Sequence, residues 1–256
     1  MGHQIIIDDK NSGDFFYREA IKTLRANIQF AGRRRRVILI TSVFSGEGKS
    51  DTTFHLAAEM AGAGKKVLMI DADIRNSMLV NQFGIEQSMA GLSEYLSGQV
   101  ETEEEIIYST NYDNLDIIIA GAYAPNPAEM LSDTPFEDLL KKEAEKYDYI
   151  FIDSPPLGQV IDAAMIAQFC NGAIMVIESG AVSYRAAQKV KEQLERTGCT
   201  ILGVVLNRVE RAGGTRYGGK YGKYGKYGKY GKYGKYGEEK MKESAAETAG
   251  KEGQAG

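Results

Sequence analysis

Six short apolar runs set what this chain can fold into. Val37–Ile40, Val67–Ile70, Leu115–Ile119, Tyr149–Ile152, Ala173–Ile177 and Ile201–Leu206 are each four to six residues long, rich in branched side chains, and free of strict polar alternation. A strand wetted on one face alternates; a strand covered on both faces does not, so these runs predict strands buried between two layers. Helix-like segments lie between them at 50–63, 91–97, 135–146, 160–169 and 183–196. Strands alternating with helices predict an α/β fold, doubly wound and mostly parallel, with right-handed crossovers. Ligands then gather at the carboxyl ends of the strands.

Ahead of the first run, residues 14–30 carry Ile21, Leu24 and Ile28 at helical spacing, which predicts an amphipathic helix opened by Asp14 and closed by a turn at Ala31-Gly32. Val182, Ala186, Val190 and Leu194 recur in the same way along the segment near 183–196 and read as a packing face. At 256 residues, 43% hydrophobic, the chain has enough apolar surface for one such domain over residues 1–210. Beyond Arg208 the pattern stops. Residues 211–256 hold too little apolar surface to offset the entropy of ordering, and predict a disordered tail.

Inside that tail stand Tyr217, Tyr221, Tyr224, Tyr227, Tyr230, Tyr233 and Tyr236, spaced by glycine and lysine. Residues 212–237 contain one arginine, six lysines and no acid, whereas the whole chain has a net charge of −4, so an acidic body carries a basic tail. Alternating lysine and tyrosine suit nucleic acid, by phosphate neutralisation and base stacking. A glycine at every third position also matches collagen, but the repeat has no proline.

Cys170 and Cys199, both in apolar stretches, predict core filling in a reducing compartment rather than a disulfide. No run of eighteen apolar residues occurs and the first residues lack a signal-peptide pattern, so a cytoplasmic location is expected. His3 and His55 stand unpaired, which argues against a histidine metal site, and the run Arg33–Arg36 reads as a solvated strand entrance.

Three strand ends carry chemistry. The first run leads into Ser45-Gly46-Glu47-Gly48-Lys49-Ser50-Asp51. Gly46 and Gly48 allow a tight loop whose N–H groups wrap phosphate, Lys49 reaches the β and γ oxygens, and Ser50 ligates Mg²⁺ at a helix N-terminus. The full phosphate-loop pattern asks for glycine at 43, where Val43 stands. A glycine turn with a surface lysine is the plainer alternative. The second run ends in Asp71 and Asp73, two residues apart and so on one side of an extended strand. Two carboxylates there need a cation; one suits Mg²⁺ and the other a hydroxyl proton, unless both merely pair with Arg75. The third, Asp153 before Pro155-Pro156, sits where a carboxylate holds the metal's water shell, or forms a simple turn. Together they point to nucleotide binding.

These residues resemble the bacterial tyrosine kinases of the capsule and exopolysaccharide type, P-loop enzymes with deviant Walker motifs. Gly46–Ser50 matches Walker A, Val67–Arg75 the Asp-x-Asp-x-Arg motif, and Ile150–Pro156 Walker B; residues 19–30 and 124–131 also look like family segments. The resemblance covers about residues 14–210 and implies autophosphorylation of the tail tyrosines, within a ring, with ATP and Mg²⁺. It implies Lys49, Asp71 and Asp73 as catalytic, Asp71 being the base, with Ser50, Asp73 and Asp153 serving the metal. It implies that Asn207 contacts adenine, and that Glu19, Lys22 and Arg25 join subunits, Lys22 standing where the family has an arginine. Ser45 and Asp51 replace the family's proline and threonine, and Asp51 places negative charge near the phosphates. Implied partners are a separate membrane-spanning activator, which recruits the chain to the inner face of the membrane, and a phosphotyrosine phosphatase; nucleic acid is not expected. Partition and septum-site ATPases share the fold but carry a second lysine where this chain has Phe44.

Overall fold

The computed structural model describes residues 4–9, 15–32, 35–77, 79 and 89–210. Their strands are β1 (Gln4–Ile5), β2 (Val37–Ser42), β3 (Val67–Asp71), β4 (Tyr108–Thr110), β5 (Leu115–Ile118), β6 (Tyr149–Asp153), β7 (Gly172–Glu178) and β8 (Ile201–Asn207). The helices are α1 (Phe15–Phe30), α2 (Lys49–Gly62), α3 (Leu92–Leu96), α4 (Pro127–Met130), α5 (Thr134–Lys146), α6 (Asp162–Ala167) and α7 (Tyr184–Arg196). The tail tyrosines, His3, Asp14, Arg33 and Arg34 lie outside the described residues.

The strands form one sheet in the order β1-β4-β5-β3-β6-β2-β7-β8, parallel at every pairing except β4 with β5. The expected α/β architecture is present, and the physical reason for the unbroken apolar runs is visible in β2. Ile38 and Ile40 pack on one face with Phe54, Leu56 and Met60 of α2 and Ile28 of α1. Val37 and Leu39 pack on the other with Phe136, Leu139 and Leu140 of α5, Ile166 of α6, and Val190 and Leu194 of α7. Each fully buried side chain of this size contributes about 1.5–3 kcal/mol by leaving water.

Two strands escaped the sequence pattern. β1 and β4 are only two and three residues long, too short to show a period, and each is held by its neighbour rather than by its own composition. The helices expected over 91–97 and 160–169 are shorter, at Leu92–Leu96 and Asp162–Ala167. Register matters most at the centre of the sheet. β3 and β6 end level, with Asp71 beside Asp153, and β2 runs two residues further, Ile40 lying beside Asp153 and the strand ending at Ser42.

Candidate active site at the carboxyl edge

The loop between β2 and α2 turns on Gly46 (φ 86°) and Gly48 (φ 83°), both in the left-handed region that a side chain disfavours. Gly48 caps α2 and has no side chain to satisfy the first N–H groups of the helix, which leaves them for an anion. The loop is clasped from beneath. The Glu47 carboxylate is buried and accepts from Phe44 N (2.7 Å) and Glu178 N (3.2 Å). Ser45 N donates to Gln159 Oε1 at 3.1 Å, and Asn207 Nδ2, from the end of β8, donates to Glu47 O at 2.9 Å. A Cβ on Gly48 would meet Asn207 Nδ2 at 2.2 Å. Asn207 thus lies against the phosphate loop itself, while the Glu47 carboxylate is taken up by Phe44 N and Glu178 N.

Lys49 Nζ brings the three motifs together. It lies 3.3 Å from Asp153 Oδ2, 3.6 Å from Asp73 Oδ2 and 3.1 Å from Ser50 Oγ. Burial alone would push the ammonium pKa down, but Asp153, Asp73 and Asp71 outweigh it and the net direction is up, so Lys49 stays charged. Neighbouring strands run about 4.8 Å apart, so the paired register of Asp71 with Asp153 sets two carboxylates side by side. Burial first, and then the Asp153 charge, push the Asp71 carboxyl up to about 7. Asp71 is fully buried; Oδ1 accepts from Asp73 N (3.1 Å) and Oδ2 from Ser77 Oγ (2.5 Å). Burial also raises Asp73, against the pull of Lys49.

Arg75 pairs with neither Asp71 nor Asp73. Its guanidinium forks Asp162, at 2.6 Å and 3.0 Å, tying the loop after β3 to the start of α6. Ser77, Asp162 and Gln159 went unnoticed in the sequence because each meets its partner only across folded loops. Thr53, whose hydroxyl lies 3.5 Å from Asp153 Oδ1, was findable one helical turn after Lys49. Asp51 turns away from the loop, its Oδ2 accepting from Tyr17 OH at 3.0 Å. Glu19 and Lys22 pair with each other at 2.8 Å on the exposed side of α1, while Arg25 turns to Glu59 of α2 at 3.3 Å.

Among the described residues no three His, Cys, Asp or Glu side chains form a ready metal cage. Mg²⁺ rarely uses one; it takes one or two carboxylates and completes its shell with phosphate and water. The hard oxygens of Ser50, Asp73 and Asp153, crowded around one ammonium, fit that requirement.

A family model described as an AAA domain matches residues 35–199. Tyrosine-protein kinase CpsD of Streptococcus agalactiae serotype III (strain NEM316) is 40% identical over 207 residues, covering 81% of this chain and 89% of that protein. The chain belongs to the bacterial tyrosine kinase family. The kinase domain of Escherichia coli tyrosine kinase ETK superposes with a TM-score of 0.71 at 26% identity, over 84% of this chain and 94% of that one. More distant is the septum site-determining protein MinD from Pyrococcus horikoshii OT3, solved with Mg-ADP, at a TM-score of 0.60 and 29% identity over 70% of this chain and 72% of that one. Like the fold, the site of this kinase family member is that of a P-loop nucleotide-binding protein. Among its described residues no helix is long and apolar enough to cross a membrane.

Proposed function

We propose that the chain is an ATP-dependent, autophosphorylating protein-tyrosine kinase that regulates capsule or exopolysaccharide synthesis and export. The observation that carries this reading is the meeting of Lys49 with Asp73 and Asp153, from three distant segments, at one sheet edge. In this reading the backbone of Ser45–Gly48 and the start of α2 cradle the triphosphate, and Lys49 neutralises the β and γ oxygens. Ser50, Asp73 and Asp153 would hold Mg²⁺, which when bound would neutralise charge on the transferring phosphoryl group.

A tyrosine hydroxyl, with an ordinary pKa near 10, enters protonated. Its oxygen bonds to the γ-phosphorus as the bond to the departing diphosphate breaks, and its proton passes to Asp71. Burial of Asp71 favours proton uptake over that of an ordinary exposed carboxylate. Ser77 now occupies one Asp71 oxygen, so the incoming phenol displaces that hydroxyl. The acceptors are Tyr217 to Tyr236, in a segment whose 22 residues 216–237 would span roughly 75 Å at full extension. That reach allows transfer within one chain or between chains; the ring that the family resemblance implies, formed through α1, favours transfer in trans, with a membrane-spanning activator and a phosphatase as the implied partners.

The test is incubation of the full chain with Mg-ATP and mapping of phosphate by mass spectrometry. Phosphotyrosine confined to the tail, lost in Lys49→Met and in the tail Tyr→Phe variant, is expected. Phosphate released to solution without labelled protein would instead favour an ATPase, the second reading, which the likeness to MinD supports.

A further inference from the structure

Asp51 stands one residue past Ser50, in the first turn of α2. A carboxylate there favours the helix electrostatically, but it competes with phosphate for the same positive end. The fold answers this conflict from α1. Tyr17 OH donates to Asp51 Oδ2 at 3.0 Å and lies 3.2 Å from His55 Nδ1. His55, one turn along α2, places Nδ1 2.8 Å from the Asp51 carbonyl oxygen and 3.6 Å from Asp51 Oδ2, and Nε2 3.2 Å from Asp9 Oδ2. The Tyr17 ring stands edge-on to the His55 ring, with centroids 5.2 Å apart. Further along, Arg25 of α1 meets Glu59 and Gln29 meets Met60 Sδ, so α1 is seated on α2 along its length.

We propose that Tyr17 and His55 are positioning residues for the nucleotide site: they hold the Asp51 carboxylate on the α1 side of α2, so that the seating of α1 sets the affinity of the adjoining phosphate loop for ATP. The phenol is held protonated, since burial and then the Asp51 charge raise its pKa well beyond the ordinary value, and it remains a donor to Asp51 at any physiological pH. Released from that bond, the carboxylate turns back along the first helical turn, beside Ser50 and the phosphates. The helix expected to join subunits then also tunes ATP binding in each subunit. This inference rests on the ATP-binding part of the function proposed above.

The test is equilibrium binding of a fluorescent ATP analogue with Mg²⁺ to the full chain, followed by autophosphorylation at saturating ATP. Tyr17→Phe keeps the ring and removes only the donor. It is expected to raise the Kd for nucleotide about threefold to tenfold, the upper bound being the loss of one hydrogen bond of ordinary strength, while the rate at saturation stays within about twofold. In an Asp51→Asn background the same Tyr17→Phe change is expected to have no effect on Kd, because no charge remains to be turned away. A merely structural role for Tyr17 would weaken binding equally in both backgrounds, and that result overturns the inference. So does a Tyr17→Phe protein with unchanged Kd. If the wild-type chain fails to bind the nucleotide at all, the proposed function falls as well; if it binds and only the Tyr17 effect is missing, the failure belongs to this inference alone.

Discussion

Asp71 is surrounded on every side, and each contact has a separate consequence. Its neighbour across the ladder, Asp153, opposes its ionisation, while Ser77 and the Asp73 amide stabilise the charged form. Asp71→Asn keeps the shape and the acceptor for Asp73 N but cannot take a proton. Phosphotyrosine formation is therefore expected to fall by about 10²–10⁴-fold with nucleotide affinity little changed, as read by single-turnover labelling beside a binding titration. The cysteines make a second case at this scale. Burial pushes the Cys199 thiol up to about 11 and Cys170 well above its ordinary value, so little thiolate exists near neutrality. Iodoacetamide at pH 8 is expected to label both slowly in the native chain and rapidly in denaturant, the rates being read by mass spectrometry. His55 gives a stability test. Burial opposes its protonation, but the hydrogen bond and charge of Asp51, with Asp9, raise its pKa above 6.5 in the fold. The stabilisation is then complete below 6.5 and is lost as pH rises through the folded value. The melting temperature of the native chain is expected to exceed that of His55→Ala by more at pH 6 than at pH 8.5.

At the scale of elements, α2 joins core and site, since Phe54, Leu56 and Met60 are fully buried on the same helix whose first turn carries Lys49 and Ser50. Phe54→Ala is expected to cost about 3–5 kcal/mol in a urea titration, a loss large enough to release nucleotide through unfolding. Gly48→Ala acts without touching the core. Its methyl would collide with Asn207 Nδ2, and its φ of 83° is unfavourable for alanine; binding is expected to be lost in a folded protein, and trimming Asn207 to Gly restores it only in part, because the backbone strain remains. The elements themselves were largely legible beforehand. The unbroken runs at 37–40, 67–70 and 149–152 declared strands covered on both faces; Asp71 and Asp153 fell at strand ends, and Lys49 after the loop that leaves one, where a doubly wound sheet gathers its ligands. What stayed hidden was pairing over distance: Arg75 with Asp162, Tyr17 with Asp51, Glu47 with Asn207. Each depends on where loops land after the sheet has formed, and a periodic pattern carries no such information.

For the whole molecule, charge is the organising quantity. The chain is acidic overall at −4 although residues 212–237 hold seven cations and no acid. Each phosphate adds about −1.5 to −2 charges at neutral pH, so under the proposed function filling the tail tyrosines would reverse the sign of that strip. Larger assemblies are expected for Lys49→Met than for the fully phosphorylated wild type, as read by native mass spectrometry, and equal sizes would reject a charge-driven cycle of assembly. The clasp at Asn207 has a consequence of another kind. The residue that steadies the phosphate loop ends the last strand of the sheet, some 160 positions after the loop it holds. On the ribosome, a chain still short of β8 would already contain its lysine and its carboxylates, yet lack the piece that firms the cradle for ATP. The order of synthesis thus makes this hydrogen bond to the loop one of the last contacts of the described residues to form.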